Sequence, residues 1–161
     1  MAIQLQIRRG TTAQNESFIG AAGEISLDTD TMTLRIHDGQ HAGGFVIPTI
    51  VAEQKPTADN NYTWYKKYSN GWVEQGGYQP APAETNDNVA ITLPVVMADG
   101  NYHVQKTLHG GTNNTTSFAW QWIADKLNTA TANTATTLYL GIASTTFCQG
   151  VFWEVKGYAA A

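Results

Sequence analysis

An all-β fold is what this sequence predicts, and three observations predict it. Apolar and polar residues alternate in short runs at 3–7, 24–27 and 32–37, the period of a strand with one face buried. Turn-forming clusters punctuate these runs: Asp28-Thr29-Asp30-Thr31, Asp38-Gly39, Asn70-Gly71 and Asp99-Gly100-Asn101. The biased stretch 124–136 is rich in Thr and Asn, whose side chains compete for the backbone and favour a surface loop over a helix.

Taken in order, residues 3–7 place Ile3, Leu5 and Ile7 on one face and Gln4 and Gln6 on the other, and Gly10-Thr11-Thr12 ends the strand. Ile25 and Leu27 share a face of the next strand. Asp28 to Thr31 supplies a turn, because short Asx side chains satisfy the backbone locally. The return strand is predicted to carry Met32, Leu34 and Ile36 inward, with Asp38-Gly39 closing it. Glu24 and His37-Asp38-Gly39 read as turn residues rather than an acid–base site. About 47 residues make a marginal core, since domains near ~60 residues bury only about 60% of their unfolded surface, so self-association is expected. Residues 48–61, with Pro48, Pro56 and a polar run, read as a linker lacking regular structure.

The second unit opens with a hairpin at 62–75 whose Asn70-Gly71 predicts a type I′ turn. Gly76-Gly77, Pro80 and Pro82 are expected to release the chain into a loop. Strands follow at 89–93, 102–108, 118–123, 137–143 and 151–157, and short strands spaced by turns predict a C-terminal β-sandwich. On the strand at 102–109, His103, Gln105, Thr107 and His109 fall on one face, opposite Tyr102, Val104, Lys106 and Leu108. Phe118, Trp120 and Trp122 alternate with Ala119, Gln121 and Ile123, which reads as a core face with a sugar-stacking platform as its functional alternative.

These patterns carry two resemblances. Ile3-Gln4-Leu5-Gln6-Ile7-Arg8-Arg9-Gly10-Thr11-Thr12, followed by Gly23-Glu24-Ile25 and Leu34-Arg35-Ile36-His37-Asp38-Gly39, resembles the short N-terminal domain of phage tail fibres and of the major tropism determinant. Trp64-Tyr65-Lys66-Lys67-Tyr68-Ser69-Asn70-Gly71-Trp72-Val73-Glu74-Gln75-Gly76-Gly77 and the closing Phe152-Trp153-Glu154-Val155-Lys156-Gly157-Tyr158 resemble the C-terminal receptor-binding domain of tail fibres. The first resemblance implies strands intertwined around a threefold axis, with Ile3, Leu5, Ile7, Ile25 and Leu34 in a trimer core. Together they imply a homotrimeric fibre: 1–47 anchoring and trimerising on a tail or capsid protein, 48–61 linking, and 62–161 forming a tip that binds a bacterial surface glycan or outer-surface protein. No collagen-like, heptad or β-helix shaft follows the anchor, which keeps a capsid-attached head fibre or decoration protein as the alternative. A surface depolymerase is the second alternative.

Composition narrows the chemistry. Charged residues make up 14% of the chain and net charge is −4; the nine Lys and Arg form no stripe fit for phosphates, so nucleic acid is not an expected partner. No apolar run approaches the ~18 residues of a membrane span and no secretion signal precedes the fold; synthesis in the host bacterial cytoplasm and residence on the virion are expected. Cys148 stands alone and reads as a small buried hydrophobe. The scattered carboxylates and the lack of nucleophile-elbow, phosphate-loop or zinc-helix patterns predict no enzyme and no cofactor. A metal is likewise not expected: there is no His-x-His pair, and His103 and His109 lie roughly 20 Å apart along a strand. The candidate receptor-binding residues are His103, Gln105 and His109 with Asn113, Asn114 and Thr115 of the Gly-Asn-Thr loop, since loops on a rigid scaffold commonly carry binding.

Overall fold

The computed structural model describes residues 6–81, 87–110, 132–142 and 148–161. They form an all-β protein that divides into two units: 1–50 with 68–70, and 51–67 with 71–161.

The first unit is a four-stranded sheet in the order β1-β2-β3-β4, with β1 Arg8–Gly10, β2 Ile25–Asp28, β3 Thr33–Ile36 and β4 Phe45–Ile47. β1 pairs parallel with β2, and the other pairs are antiparallel. The strand expected at 3–7 lies further on: residues 6 and 7 precede β1, and residues 3–5 fall outside the described residues. Helix α1, Thr12–Ser17, was not anticipated although its signature is in the sequence. Thr11 caps it and Gln14 reciprocates, its Oε1 accepting the Thr11 N–H at 2.9 Å, the capping-box arrangement.

The expectation that Met32, Leu34 and Ile36 point inward is corrected. The buried face of this sheet is polar: Ser26, Asp28, Thr33, Arg35 and His37 are buried, and Asn15 of α1 is buried with them. The apolar residues occupy the opposite face, where register sets Ile25 beside Ile36 and Ile36 beside Phe45, with Leu27 beside Leu34 and Leu34 beside Ile47. Ile25 and Ile36 are 42% exposed and Phe45 58%; Leu27 and Leu34 are half-buried. Met32 is exposed in a turn with φ 53. The reason is chemical: the polar layer satisfies itself completely enough to be buried. Ser26 Oγ donates to Asn15 Oδ1 at 2.8 Å, and Asn15 Nδ2 donates to the carbonyls of Gly10 and Thr11. His37 Nδ1 accepts the Gly20 N–H, which leaves Nε2–H to donate to Ser26 Oγ at 2.9 Å. Asp28 and Arg35 form a buried ion pair at 3.0 Å.

The segment expected to be an irregular linker contains strand β5, Ile50–Gln54, and a 3₁₀ turn at Ala58–Asn60. β5 is the edge of a five-stranded sheet whose other members are β6 Trp64–Tyr68, β7 Trp72–Pro80, β9 His103–Gly110 and β11 Cys148–Tyr158, in the order β5-β6-β7-β11-β9. Pro48 and Pro56 bracket β5 rather than interrupt it, so neither removes a ladder donor. A second sheet pairs β8 Asp87–Thr92 with β10 Thr137–Ile142. Val73, Val151, Trp153 and Val155 from the larger sheet meet Ile91, Leu138 and Leu140 from the smaller one, with Leu93 and Met97, in one core. That is the predicted sandwich.

Two local expectations are also corrected. The β6–β7 turn has positive φ at Gly71 (83°) but not at Asn70, so it is not type I′; a loop ending in a left-handed glycine is the three-residue alternative. Gly76-Gly77 does not end the strand, because β7 runs on to Pro80. Each glycine seats an indole instead. A Cβ at Gly76 would lie 2.8 Å from Trp64 Nε1, and one at Gly77 would lie 3.1 Å from Trp153 Cζ2.

Candidate functional site

Pairing register lays out the solvent face of the five-stranded sheet. Trp64 of β6, Gly76 of β7, Glu154 of β11 and Gln105 of β9 form one cross-strand row, and Tyr78, Phe152 and Thr107 form the next. Directly opposed residues share a face. These rows, with Tyr62, border a groove of about 360 Å³ lined by Tyr62, Trp64, Gln105, Thr107, Phe152 and Glu154. Tyr62 and Phe152 are 49% and 45% exposed. Trp64 packs over Gly76, whose missing Cβ leaves the space that the indole Nε1 and Cε2 occupy.

An aromatic cluster continues from the groove. The Tyr78 and Phe152 ring centroids are 4.9 Å apart, and His109 packs on both at 5.6 and 5.7 Å. Tyr78 Oη donates to the Gln149 carbonyl at 2.8 Å, which holds the ring over Gly150. Glu154 is the carboxylate of the groove, and Lys156 lies 3.0 Å from it.

The structure separates the sequence-predicted residues along this face. His103, Gln105, Thr107 and His109 are all exposed while Tyr102, Val104 and Lys106 are half-buried, the predicted alternation. Gln105 and Thr107 line the groove, His109 belongs to the aromatic cluster, and His103 borders a separate hollow of about 330 Å³ with Trp72, Asn101 and Tyr158. Asn113, Asn114 and Thr115 lie outside the described residues, as do Phe118, Trp120 and Trp122. Sequence reasoning missed Tyr62, Trp64 and Phe152 as one site. Trp64 and Phe152 are 88 positions apart, and only the β6-β7-β11 pairing unites them.

Titration is perturbed mainly in the first unit. Burial alone would raise the Asp28 carboxyl, but donation from Thr12 Oγ1, Arg35 and the Thr31 and Asp30 amides outweighs it and holds the group below its ordinary value. The Arg8 guanidinium, then the Ala21 amide, lower Glu24; the His41 amide and side chain, with the Gln40 amide, lower Asp38. In the second unit burial pushes Tyr102 up to about 12. No group of three or more His, Cys, Asp or Glu suited to a metal occurs among the described residues.

Residues 5–41 match the family model of the major tropism determinant N-terminal domain. The match spans β1, α1, β2 and β3. A tail fiber receptor-binding protein of Bordetella phage BPP-1 is 33% identical to this chain over 114 residues, which is 65% of the chain and 29% of that protein. The chain therefore spans less than a third of the length of this relative. The P3c and U1 variants of the major tropism determinant align at 26% identity over 55% of this chain and 29% of theirs, each with a TM-score of 0.29. No helix among the described residues is long and apolar enough to cross a membrane.

Proposed function

We propose that this chain is a bacteriophage fibre protein that binds the host cell surface as a homotrimer, with the first unit anchoring and trimerising it and the second forming the recognition tip. The observation that carries the reading is the 114-residue likeness to a tail fiber receptor-binding protein. At that length it extends beyond the first fifty residues into the second unit. The inverted sheet of the first unit supports self-association. Ile25, Ile36, Phe45 and Ile47 form an exposed apolar face on a unit whose opposite, polar side is already buried, and a repeat of the same face is the partner that closed point symmetry supplies. Ile3 and Leu5 would join Ile7, Ile25 and Leu34 there. Among the described residues, the groove's lining holds one carboxylate, Glu154, and the reading assigns the tip binding rather than catalysis.

The test is direct. The purified chain should scatter light as a trimer at micromolar concentration and should adsorb to host cells, competing with phage. A folded monomer would remove the trimer, and failure to adsorb or compete would remove receptor binding. Cryo-electron microscopy of particles should place the chain on the tail; density on the capsid would make it a head fibre.

A further inference from the structure

We propose that the groove between Trp64 and Gln105 is a saccharide subsite that takes an uncharged pyranose unit of a bacterial surface glycan, a proposal that rests on the receptor-binding reading above. Three features point to this ligand class. The first is the flat aromatic surface. Trp64 packs over Gly76, and Tyr62 and Phe152 stand exposed beside it, so the groove offers aromatic surface suited to the C–H face of a sugar. The second is the polar set: the Gln105 amide, the Thr107 hydroxyl and the Glu154 carboxylate line the same groove. An amide both donates and accepts, a hydroxyl does the same, and a carboxylate accepts from paired hydroxyls. Such groups supply the donors and acceptors that vicinal sugar hydroxyls require.

The third feature is charge. None of the residues described as lining the groove is Lys, Arg or His, and its one charged side chain is Glu154. A phosphate, uronate or sialate would meet the Glu154 carboxylate there, and the neighbouring cation, Lys156, is already engaged by that carboxylate at 3.0 Å rather than by a ligand. A strand-like peptide is disfavoured for a different reason: the groove lies on the face of the sheet, over β6, β7 and β11, which are paired on both sides. Strand addition needs an open edge, and the outer side of β9 would seat a peptide beside the groove rather than in it. Trp64 and Gln105 stand three strands apart, roughly 14 Å at ordinary strand spacing, which accommodates one or two rings. The volume falls within the ~300–1,000 Å³ of small-ligand sites.

The experiment uses the full chain and saturation-transfer NMR with methyl glucoside, galactoside and mannoside, N-acetylglucosamine and N-acetylgalactosamine, and glucuronic acid as the anionic control. At least one neutral sugar should receive saturation. Phe152→Ala and Gln105→Ala, both at exposed positions, should each weaken that binding about tenfold, while Trp72→Ala, on the same face but outside the groove, should leave it unchanged. Circular dichroism confirms that each variant is folded. No transfer to any neutral sugar, transfer only to glucuronic acid, or binding indifferent to both groove variants would overturn the proposal. Adsorption to host cells separates this failure from that of the underlying reading. Adsorption that survives periodate oxidation of the cells and both groove variants overturns the saccharide site but leaves receptor binding standing, whereas a chain that adsorbs to no host cell overturns receptor binding itself.

Discussion

Replacing Asp28 by Asn should unfold the first unit while leaving the second intact. The Asp28 carboxylate accepts from Thr12 Oγ1 at 2.9 Å, Asp30 N at 3.1 Å, Thr31 N at 3.3 Å and Arg35 Nη2 at 3.0 Å. Arg35 is buried, its remaining hydrogen bond runs from Nη1 to the Gly43 carbonyl, and its Nε has no partner. Removing the carboxylate's charge strands a buried guanidinium, which costs about 3–5 kcal/mol. At about 0.05–0.15 kcal/mol per residue, a unit of some fifty residues holds only about 2.5–8 kcal/mol. The substitution therefore consumes most of its stability. All five tryptophans fall in the second unit, so tryptophan fluorescence should report an unchanged denaturation midpoint there. Hydrogen exchange across β2 and β3 should rise toward the unfolded rate. Adding Arg35→Met to Asp28→Asn removes the stranded guanidinium while an amide oxygen can still accept from the Asp30 and Thr31 N–H groups, so the pair should recover much of the loss. Unaltered exchange in Asp28→Asn, or no recovery in the pair, would refute the claim that this ion pair holds the sheet.

Acid should act on the same unit. Asp28, Glu24 and Asp38 all titrate below their ordinary values when folded, so the stability they confer is present above about pH 4 and is lost as pH falls through the folded values; β2–β3 protection factors, taken against the intrinsic exchange rate at each pH, should fall below about pH 4. Charging the apolar face with Ile36→Glu and Phe45→Glu should yield monomers in sedimentation, because each residue forfeits about 1.5–3 kcal/mol of burial at the interface in every chain; an intact trimer would locate that interface elsewhere. Gly76→Val should destabilise the second unit by about 1–3 kcal/mol through overpacking, since its Cβ would meet both Trp64 Nε1 and the Trp153 carbonyl within 3 Å; unchanged denaturant midpoint and tryptophan emission would argue against the seated indole.

Strand positions were readable where one residue in two is apolar, as in the return strand of the first unit and along His103 to His109. Which face is buried was not readable there, because hydropathy ranks Ile25 and Leu34 above Ser26 and Asp28 whatever their partners. The polar layer is buried only because Asn15, Thr12 and Gly20 bring donors and acceptors from α1 and its flanks. The capping pair Thr11 and Gln14 was legible and passed over. Gly76-Gly77 misled because tandem glycine ordinarily marks a turn, while here it answers bulk on neighbouring strands. Gln105 was legible as an outward residue; its companions Trp64 and Phe152 arrive through pairing that no local pattern encodes.

On the proposed saccharide reading, a recognition surface on the face of a sheet has a consequence for how it can change. On β9 and β11 every second side chain faces solvent, and the residues between them hold the core. Substitutions at Gln105, Thr107 or Phe152 can therefore alter what is bound while Val104, Trp153 and Val155 remain untouched. Trp64 has no such freedom, since its ring and Gly76 occupy one another's space. Specificity is free to drift around a fixed Trp64, so a lineage of such proteins could move between hosts by exchanging polar neighbours without refolding the scaffold.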